Sequence, residues 1–248
     1  MAFNSKPTES FSIVTGVASF NVIAVNPTRE ELDSMGISLK ESVDNIDTRD
    51  GVDRIRLDFF IKNEKLGVHR FSLWIEKGNK TSSAGNNQYI NDYGQTCWAT
   101  SKDDAINKVS KNGNKWFKDS GVRLAYSGED QLIEFIKSWL SVPVDGIAKI
   151  DNMEALFNGN VSEIKALIKE FSDLQVQVYM YCNDKNYQAI YTKHFERGNN
   201  KNMGRWVTYF NNLTTKFTKF VGTAIKEAVL NDGSSEEETS DDSANEWN

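Results

Sequence analysis

The chain has 248 residues, of which 39% are hydrophobic and 26% are charged, as is ordinary for a soluble globular protein. The net charge of −6 is uneven, because residues 231–248 hold seven acids and no Lys or Arg, which leaves 29 basic and 28 acidic residues in the body. Two cysteines and two histidines, without CxxC or HxxxH spacing, argue against a disulfide framework and a structural zinc site, so we expect no metal and no cofactor.

The first elements favour a cytoplasmic protein that opens with a strand. Residues 1–10 lack the basic and apolar regions of a signal peptide, and residues 11–28 are too polar to span a bilayer. Residues 12–25 predict a long, mostly buried strand with a bend at Gly16. Thr28 and Glu31 then have the spacing of a capping box and predict a short helix, after which residues 39–51 predict a loop.

Residues 53–76 predict two strands joined by a short turn, around which the chain is organised. Every second residue from 55 to 61 is apolar, so one face of the first strand belongs to the core. The other face of the hairpin is basic and aromatic and holds Arg54, Arg56, Phe60, Lys62, Arg70 and Trp74. Exposed rings among cations suit stacking on bases and neutralising phosphates, and the alternative is that a neighbouring helix covers this face.

The middle of the chain predicts a loop, a small hairpin and two helices. Residues 77–88 form a Gly/Asn/Ser/Lys tract, which indicates a mobile loop whose Lys77 and Lys80 close over a nucleic-acid backbone. Residues 89–99 predict a small hairpin rich in aromatic residues. Amphipathic periodicity predicts helices over about residues 127–140, capped by Ser127, and about residues 160–171.

Two more strands and a helical region complete the body. Residues 174–182 alternate clearly, and residues 187–195 form the return strand, whose two faces the pattern does not distinguish. These strands add candidate nucleic-acid contacts at Tyr179, Tyr181, Tyr187, Tyr191 and Lys193. Residues 203–230 have helical spacing, which Asn211-Asn212 and Gly222 weaken, so the stretch predicts either one helix or two shorter ones. Residues 185–226 hold eight cations and one acid interleaved with eight aromatic residues, a composition typical of a surface for a polyanion with bases.

The order of the elements predicts a β-rich α+β fold, namely an OB-fold-like five-stranded barrel with an inserted hairpin and flanking helices. This domain would span residues 1–200, with a helical connection at about residues 127–171. Residues 201–230 would form a C-terminal helical extension, and residues 231–248 a disordered acidic tail. An OB fold binds single-stranded nucleic acid or oligosaccharide on its second and third strands, and the basic hairpin would be those strands.

The acidic tail has a feature beyond charge, because a single aromatic residue stands just before its end. Its candidate partner-binding residues are Asp241, Asp242, Glu246 and Trp247. A Ser-rich acidic segment that only keeps a protein soluble needs no tryptophan. An acidic peptide tipped by one ring suits docking into a basic, apolar pocket of another protein.

Body and tail together resemble the single-stranded DNA-binding proteins of tailed phages, including crAss-like gut phages. The stretches that carry the resemblance are residues 15–18 (TGVA), 25–32 (VNPTREEL) and 89–99 (YINDYGQTCWA). The resemblance implies an OB fold, and it implies that the tail recruits phage or host replication proteins and competes with DNA for a cationic groove. The chain lacks the zinc-binding Cys/His cluster that some members have, which removes that subtype.

From this resemblance and the basic hairpin we expect sequence-independent single-stranded DNA binding and protection during phage replication and recombination, in the cytoplasm of the infected bacterial cell. Self-association on DNA and no contact with membranes belong to the same expectation. We expect no enzyme, because the carboxylate pairs at Asp103–Asp104 and at Asp151 with Glu154 occur where helix N-termini favour acids. The alternative is a phage virion structural or assembly protein that binds no nucleic acid.

Overall fold

The computed structural model describes residues 14–41, 46–110, 112–143, 150–182, 187–198 and 223–224. Within this part of the chain the strands are β1 (Val14–Val25), β2 (Ile46–Arg49), β3 (Val52–Asn63), β4 (Gly67–Asn79), β5 (Asn87–Ile90), β6 (Thr96–Ala99), β7 (Arg123–Leu124), β8 (Tyr126–Ser127), β9 (Gln175–Cys182), β10 (Gln188–Arg197) and β11 (Thr223–Ala224). The helices are α1 (Arg29–Ser34), α2 (Lys102–Ile106), α3 (Glu129–Trp139), α4 (Met153–Leu156) and α5 (Ser162–Glu170). No described helix is long and apolar enough to cross a membrane.

A curled, mainly antiparallel sheet forms the body. Among the described residues its strand order is β10-β9-β1-β3-β4-β8, with β2 beside β3 and β11 beside β1. Strands β4 and β10 are separated by three others in this order, yet the rings of Phe71 in β4 and Phe195 in β10 have centroids 5.5 Å apart. The sheet therefore bends round on itself into a half-barrel, and the protein has a β-rich fold with a few helices.

The core lies inside the curl and is plugged by α3. The predicted alternation of residues 55–61 is confirmed, because Ile55, Leu57, Phe59 and Ile61 are all buried. Helix α3 places Phe135 among the inward-facing rings, 4.6 Å from Phe59 and 5.0 Å from Phe195 between centroids. The apolar residues of this helix are likewise buried, so the helix and the sheet remove each other's apolar surface from water.

A small second sheet follows the long hairpin. In the described residues β5 lies between β6 and β7, and the predicted hairpin of residues 89–99 corresponds to β5 and β6. Tyr89, Cys97, Ala99, Ala105, Phe117 and Val122 form a separate apolar cluster beneath it. Helix α2 supplies Ala105 to this cluster and is capped by the side chain of Ser101.

Several boundaries differ from the sequence predictions for local reasons. Residues 39–51 contain strand β2, and β4 continues to Asn79 because Asn79 is opposite Tyr126 of β8. Helix α3 is preceded by Gly128, with φ 84°, where Ser127 was the predicted cap. Ser127 belongs to β8 opposite Glu76, and a side chain on Gly128 would collide with the carbonyl oxygen of Trp74.

Other predictions for the chain have mixed outcomes. The capping box of α1 is confirmed, because Glu31 N–H donates to Thr28 Oγ1 and Thr28 N–H donates to Glu31 Oε2. Residues 223–224 pair in parallel with the start of β1, directly after Gly222, where the helical pattern of residues 203–230 is weak. The remainder of that predicted helix and the acidic tail lie outside the described residues.

Candidate nucleic-acid interface

The outer face of the hairpin β3–β4 points away from the helix-filled interior of the curl. Cross-strand pairing is continuous from Arg54 opposite Glu76 to Asn63 opposite Gly67. Arg56 is opposite Trp74, so these two side chains emerge side by side on the outer face. The regular pairing therefore fixes the spacing of every group that this face presents.

Trp74 is the centre of an aromatic and cationic cluster on this face. Its side chain is 41% exposed, which is high for a residue type that is usually well buried. The guanidinium carbon of Arg54 is 4.5 Å from the centroid of the Trp74 ring, and that of Arg56 is 5.9 Å away. Cation–π attraction at these distances orients both arginines beside a ring that remains open to solvent.

Each of the two arginines also has a carboxylate partner. Arg54 Nε lies 2.8 Å from Asp47 Oδ2 on the exposed strand β2, and Arg56 Nε lies 2.7 Å from Asp58 Oδ1. Asp58 is fully buried, and its Oδ2 has no hydrogen-bond partner among the described residues. The carboxylates hold the guanidinium groups in place and offset part of their charge, so a phosphate would meet oriented but partly neutralised cations.

Asp47 and Asp58 were not among the predicted site residues, and the sequence held a signal for the first of them. Asp50 and Gly51 have φ angles of 53° and 75°, as a two-residue hairpin turn requires. An Asp-Gly pair between two short strand-like segments is a strong hairpin signal, and it would have placed Asp47 opposite Arg54. Asp58 alternates with the predicted basic residues but gave no sign that it would be buried.

The far end of the hairpin is covered, which corrects the prediction for Phe60. Its ring is fully buried against Leu32 and Ile37, because α1 and the segment after it pack over this part of the outer face. Phe60 is therefore not available for stacking on a base. Arg70 lies beside it, 5.9 Å from the ring centroid, and donates to the carbonyl of Lys40. Both Arg70 and Lys62 remain exposed at the edge of this cover.

Lys77 and Lys80 occupy different positions relative to the predicted loop of residues 77–88. Lys77 lies within β4, on the face opposite to Trp74, and pairs with Glu154 of α4 beside the ring of Phe157. Lys80 Nζ is 3.0 Å from Asp130 Oδ2 of α3. Both side chains therefore have carboxylate partners on helices, and Lys80 lies just beyond the end of β4, in the segment before β5.

The tyrosine group lies on the other half of the sheet. Tyr179 in β9 is buried and stacks on Tyr181 with centroids 6.1 Å apart, and Tyr191 in β10 is opposite Tyr179. Tyr187 is 67% exposed, and Lys193 is also exposed. In the strand order β9, β1 and β3 lie between β10 and β4, while inside the curl the rings of Phe71 and Phe195 come together. The tyrosine group and the Trp74 cluster therefore lie on different strands of the curled sheet.

Chemically, the outer face around Trp74 offers a stacking surface and cations, and nothing that resembles a metal centre. Among the described residues no group of three or more His, Cys, Asp or Glu is placed to hold a metal ion. Comparison with known protein families, with curated proteins and with solved structures gave no match. The geometry and charge of this surface are therefore the basis of the functional argument.

Proposed function

We propose that the protein binds single-stranded DNA without sequence preference through the outer face of β3–β4. The observation that carries the proposal is the open ring of Trp74, held between two oriented arginines. Every base has a π-face, so stacking on an indole is tolerant of sequence, and guanidinium groups beside it neutralise the adjacent phosphates.

The strand order supports an OB-like interpretation of the curled sheet. In an OB barrel the first strand pairs with the second and the fourth, and the third and fifth strands close the barrel. Here β1 pairs with β3 and β9, β3 pairs with β4, and β9 pairs with β10. Taken as the five barrel strands in chain order, these give the OB sequence of neighbours, with α3 between the third and fourth. Strands β3 and β4 then correspond to the strands that bind ligands in OB folds.

The cations extend along the hairpin and could follow a backbone. Arg54, Arg56, Arg70 and Lys62 are distributed from one end of the β3–β4 ladder to the other. Lys62 is eight residues from Arg54 on the same strand, a span of roughly 27 Å. A single strand that runs from the open face around Trp74 to the edge of the α1 cover would place several phosphates within reach of these side chains.

The biological setting that fits this activity is phage DNA replication and recombination in the cytoplasm of an infected bacterium. There the protein protects single strands and self-associates along them. Its tail, with Asp241, Asp242, Glu246 and Trp247, docks on a phage or host replication protein and competes with DNA for the cationic face. No catalytic step is part of this proposal.

A role as a phage structural or assembly protein is the second candidate, and one observation favours it. Arg54 and Arg56 are both paired with carboxylates, and Glu76 lies opposite Arg54, so the patch around Trp74 is close to neutral. A neutral patch with an exposed ring also suits a protein interface. Binding to DNA that weakens with salt separates the two candidates.

The test is a titration of tryptophan fluorescence with poly-dT at two salt concentrations, with wild type and Trp74→Ala. If about four phosphates are contacted, log K against log salt should slope by roughly −3. Loss of the ring should weaken binding by about 1–3 kcal/mol, and Trp74→Phe should retain part of it. Failure to bind poly-dT at low salt would exclude the proposed function and favour the structural one.

A further inference from the structure

Exposed tryptophans are concentrated in two places, and only one of them is the hairpin face. Of the four tryptophans that the structure describes, Trp139 is fully buried, whereas Trp74, Trp98 and Trp116 are 41%, 39% and 40% exposed. Trp98 and Trp116 both belong to the unit built around the small sheet. Tryptophan is enriched at binding surfaces because its ring is apolar and its N–H is polar, so two exposed indoles make this unit a candidate binding surface.

Trp98 is directed outward by the pairing of its strand. Its neighbours Cys97 and Ala99 point into the apolar cluster under the small sheet, so the alternation of β6 turns Trp98 to the opposite side. Lys80 Nζ lies 6.0 Å from the centroid of the Trp98 ring. Because Asp130 also holds Lys80, this cation stays beside the ring without a ligand.

A second ring and cation lie at the other end of β6. Lys118 Nζ is 4.2 Å from the centroid of the Tyr93 ring. Gln95 joins this pair to Trp116, because its Nε2 donates to the carbonyl of Trp116 and its Oε1 accepts from the N–H of Lys118. An aromatic ring beside a positioned cation thus occurs twice in one small unit, with the exposed ring of Trp98 at one place and the half-buried ring of Tyr93 at the other.

The charge of this unit differs in sign from that of the chain. Residues 80–127 contain seven Lys or Arg and four Asp, a net charge of +3, whereas the whole chain carries −6. A positive unit with exposed rings is complementary to a polyanion that carries stackable bases. It is less suited to a protein partner, whose interface cores are depleted of lysine.

We propose that the small-sheet unit, residues 87–124 together with Lys80, is a second contact for single-stranded DNA, in which Trp98 stacks on a base and Lys80 and Lys118 neutralise phosphates. The inference rests on the proposed function and extends the binding path beyond β3–β4. Trp74 and Lys80 are six residues apart in an extended segment, at most about 20 Å, so one strand leaving the Trp74 ring can reach Trp98.

The experiment measures affinity against oligonucleotide length. Full-length wild type, Trp98→Ala, Trp98→Phe, Lys80→Gln and Trp74→Ala are titrated with fluorescein-labelled oligo-dT from about 4 to about 30 nucleotides. Val109→Ala is the matched control, because Val109 is an exposed apolar residue of the same unit that carries no ring. Thermal unfolding checks that each variant is folded.

Trp98→Ala should bind long oligonucleotides roughly 5- to 150-fold more weakly, with the shortest ones unaffected. Trp98→Phe should recover part of the loss, Val109→Ala should match wild type, and Lys80→Gln should reduce the salt slope by about 0.7.

The inference is overturned if a folded Trp98→Ala variant matches the affinity of wild type at every oligonucleotide length. In that case Trp74→Ala still tests the proposed function itself. If Trp98→Ala does not fold, wild-type binding by Trp98→Phe together with an unchanged salt slope for Lys80→Gln overturns it. Absence of any binding by wild type overturns the proposed function as well.

Discussion

Asp58 lies completely buried beneath Arg56, and its Oδ1 accepts a hydrogen bond of 2.7 Å from Arg56 Nε. The Ser72 hydroxyl donates to the same oxygen, and Asn26 holds the backbone of both residues through its side-chain amide. A buried carboxylate thus anchors one of the two guanidinium groups that flank Trp74. Asp47 does the same for Arg54 from an exposed strand, so the two pairs differ mainly in burial.

This difference predicts unequal effects on stability. Asp58→Asn removes the negative charge from a charge-assisted hydrogen bond in the interior and should lower the free energy of unfolding by about 1–3 kcal/mol. Asp47→Asn removes an exposed partner and should cost only about 0–1 kcal/mol. Urea unfolding midpoints of both variants measure this. Equal, small losses would mean that Arg56 is held by contacts other than the Asp58 carboxylate.

The exposed pair predicts a gain of DNA affinity. Asp47 competes with phosphate for Arg54, so Asp47→Asn should tighten binding to oligo-dT and make its salt dependence steeper. Asp50→Asn, which removes one acidic charge from the turn between β2 and β3 and keeps a residue type that tolerates the positive φ there, is the control. Unchanged affinity and salt slope in Asp47→Asn would show that Arg54 does not contact the DNA backbone.

His69 predicts a pH dependence of stability. Burial against Phe20 lowers the pKa of its imidazole below the ordinary value of 6.5, although Nε2 lies 2.9 Å from the Leu66 carbonyl. The unfolded chain therefore takes up a proton at higher pH than the folded protein does. The stabilisation is complete above about pH 6.5 and is lost as the pH falls towards the folded-state pKa.

The measurement is urea unfolding at about pH 7.5 and about pH 5.5. His69→Gln should reduce the difference in the free energy of unfolding between the two pH values, whatever its effect on stability at either pH. An unchanged difference in His69→Gln would contradict the assignment of this pH dependence to His69.

The acidic tail predicts self-competition. Residues 233–248 contain six acids, and a segment joined by a short linker to the same chain acts at an effective concentration on the order of millimolar. Deleting these residues should tighten DNA binding, most strongly at low salt. A tail of the same length with neutral Asn and Gln in place of the six acids should bind DNA as tightly as the deletion variant does.

Trp247→Ala should weaken binding of the proposed replication partner and leave the affinity for DNA unchanged. Equal affinities of full-length and truncated protein across the salt range would make the tail a solubilising extension.

Local periodicity explains how much of the fold was predictable. The strands β3, β4, β9 and β10, the small hairpin and both longer helices follow from alternation or helical spacing, because those patterns report which side of an element is buried. The pattern cannot report what covers the second face of a strand. Phe60 alternates with Arg56 and Lys62, yet α1 reaches it from a distant part of the sequence.

The candidate site was predictable only in part for the same reason. Arg54, Arg56 and Trp74 share a face because they belong to one hairpin, whose register follows from sequence. The tyrosines of β9 and β10 were grouped with them because composition does not reveal strand order. Lys77 was assigned to a loop because Gly78 and Asn79 favour turns, but pairing of Asn79 with Tyr126, 47 residues later, extends the strand.

The position of β1 in the middle of the sheet has a consequence for the order of folding during synthesis. The hydrogen bond between Asn21 of β1 and Gln175 of β9 joins residues 154 positions apart. The hairpin β3–β4, in contrast, closes a turn of a few residues. Closing a short loop costs far less chain entropy, so we expect the hairpin and β1 to pair first on the ribosome. Until β9 emerges, β1 has an unpaired edge and the aromatic ring cluster around Phe135 lacks Phe195. The nascent chain is therefore most prone to aggregation between the synthesis of α3 and that of β10.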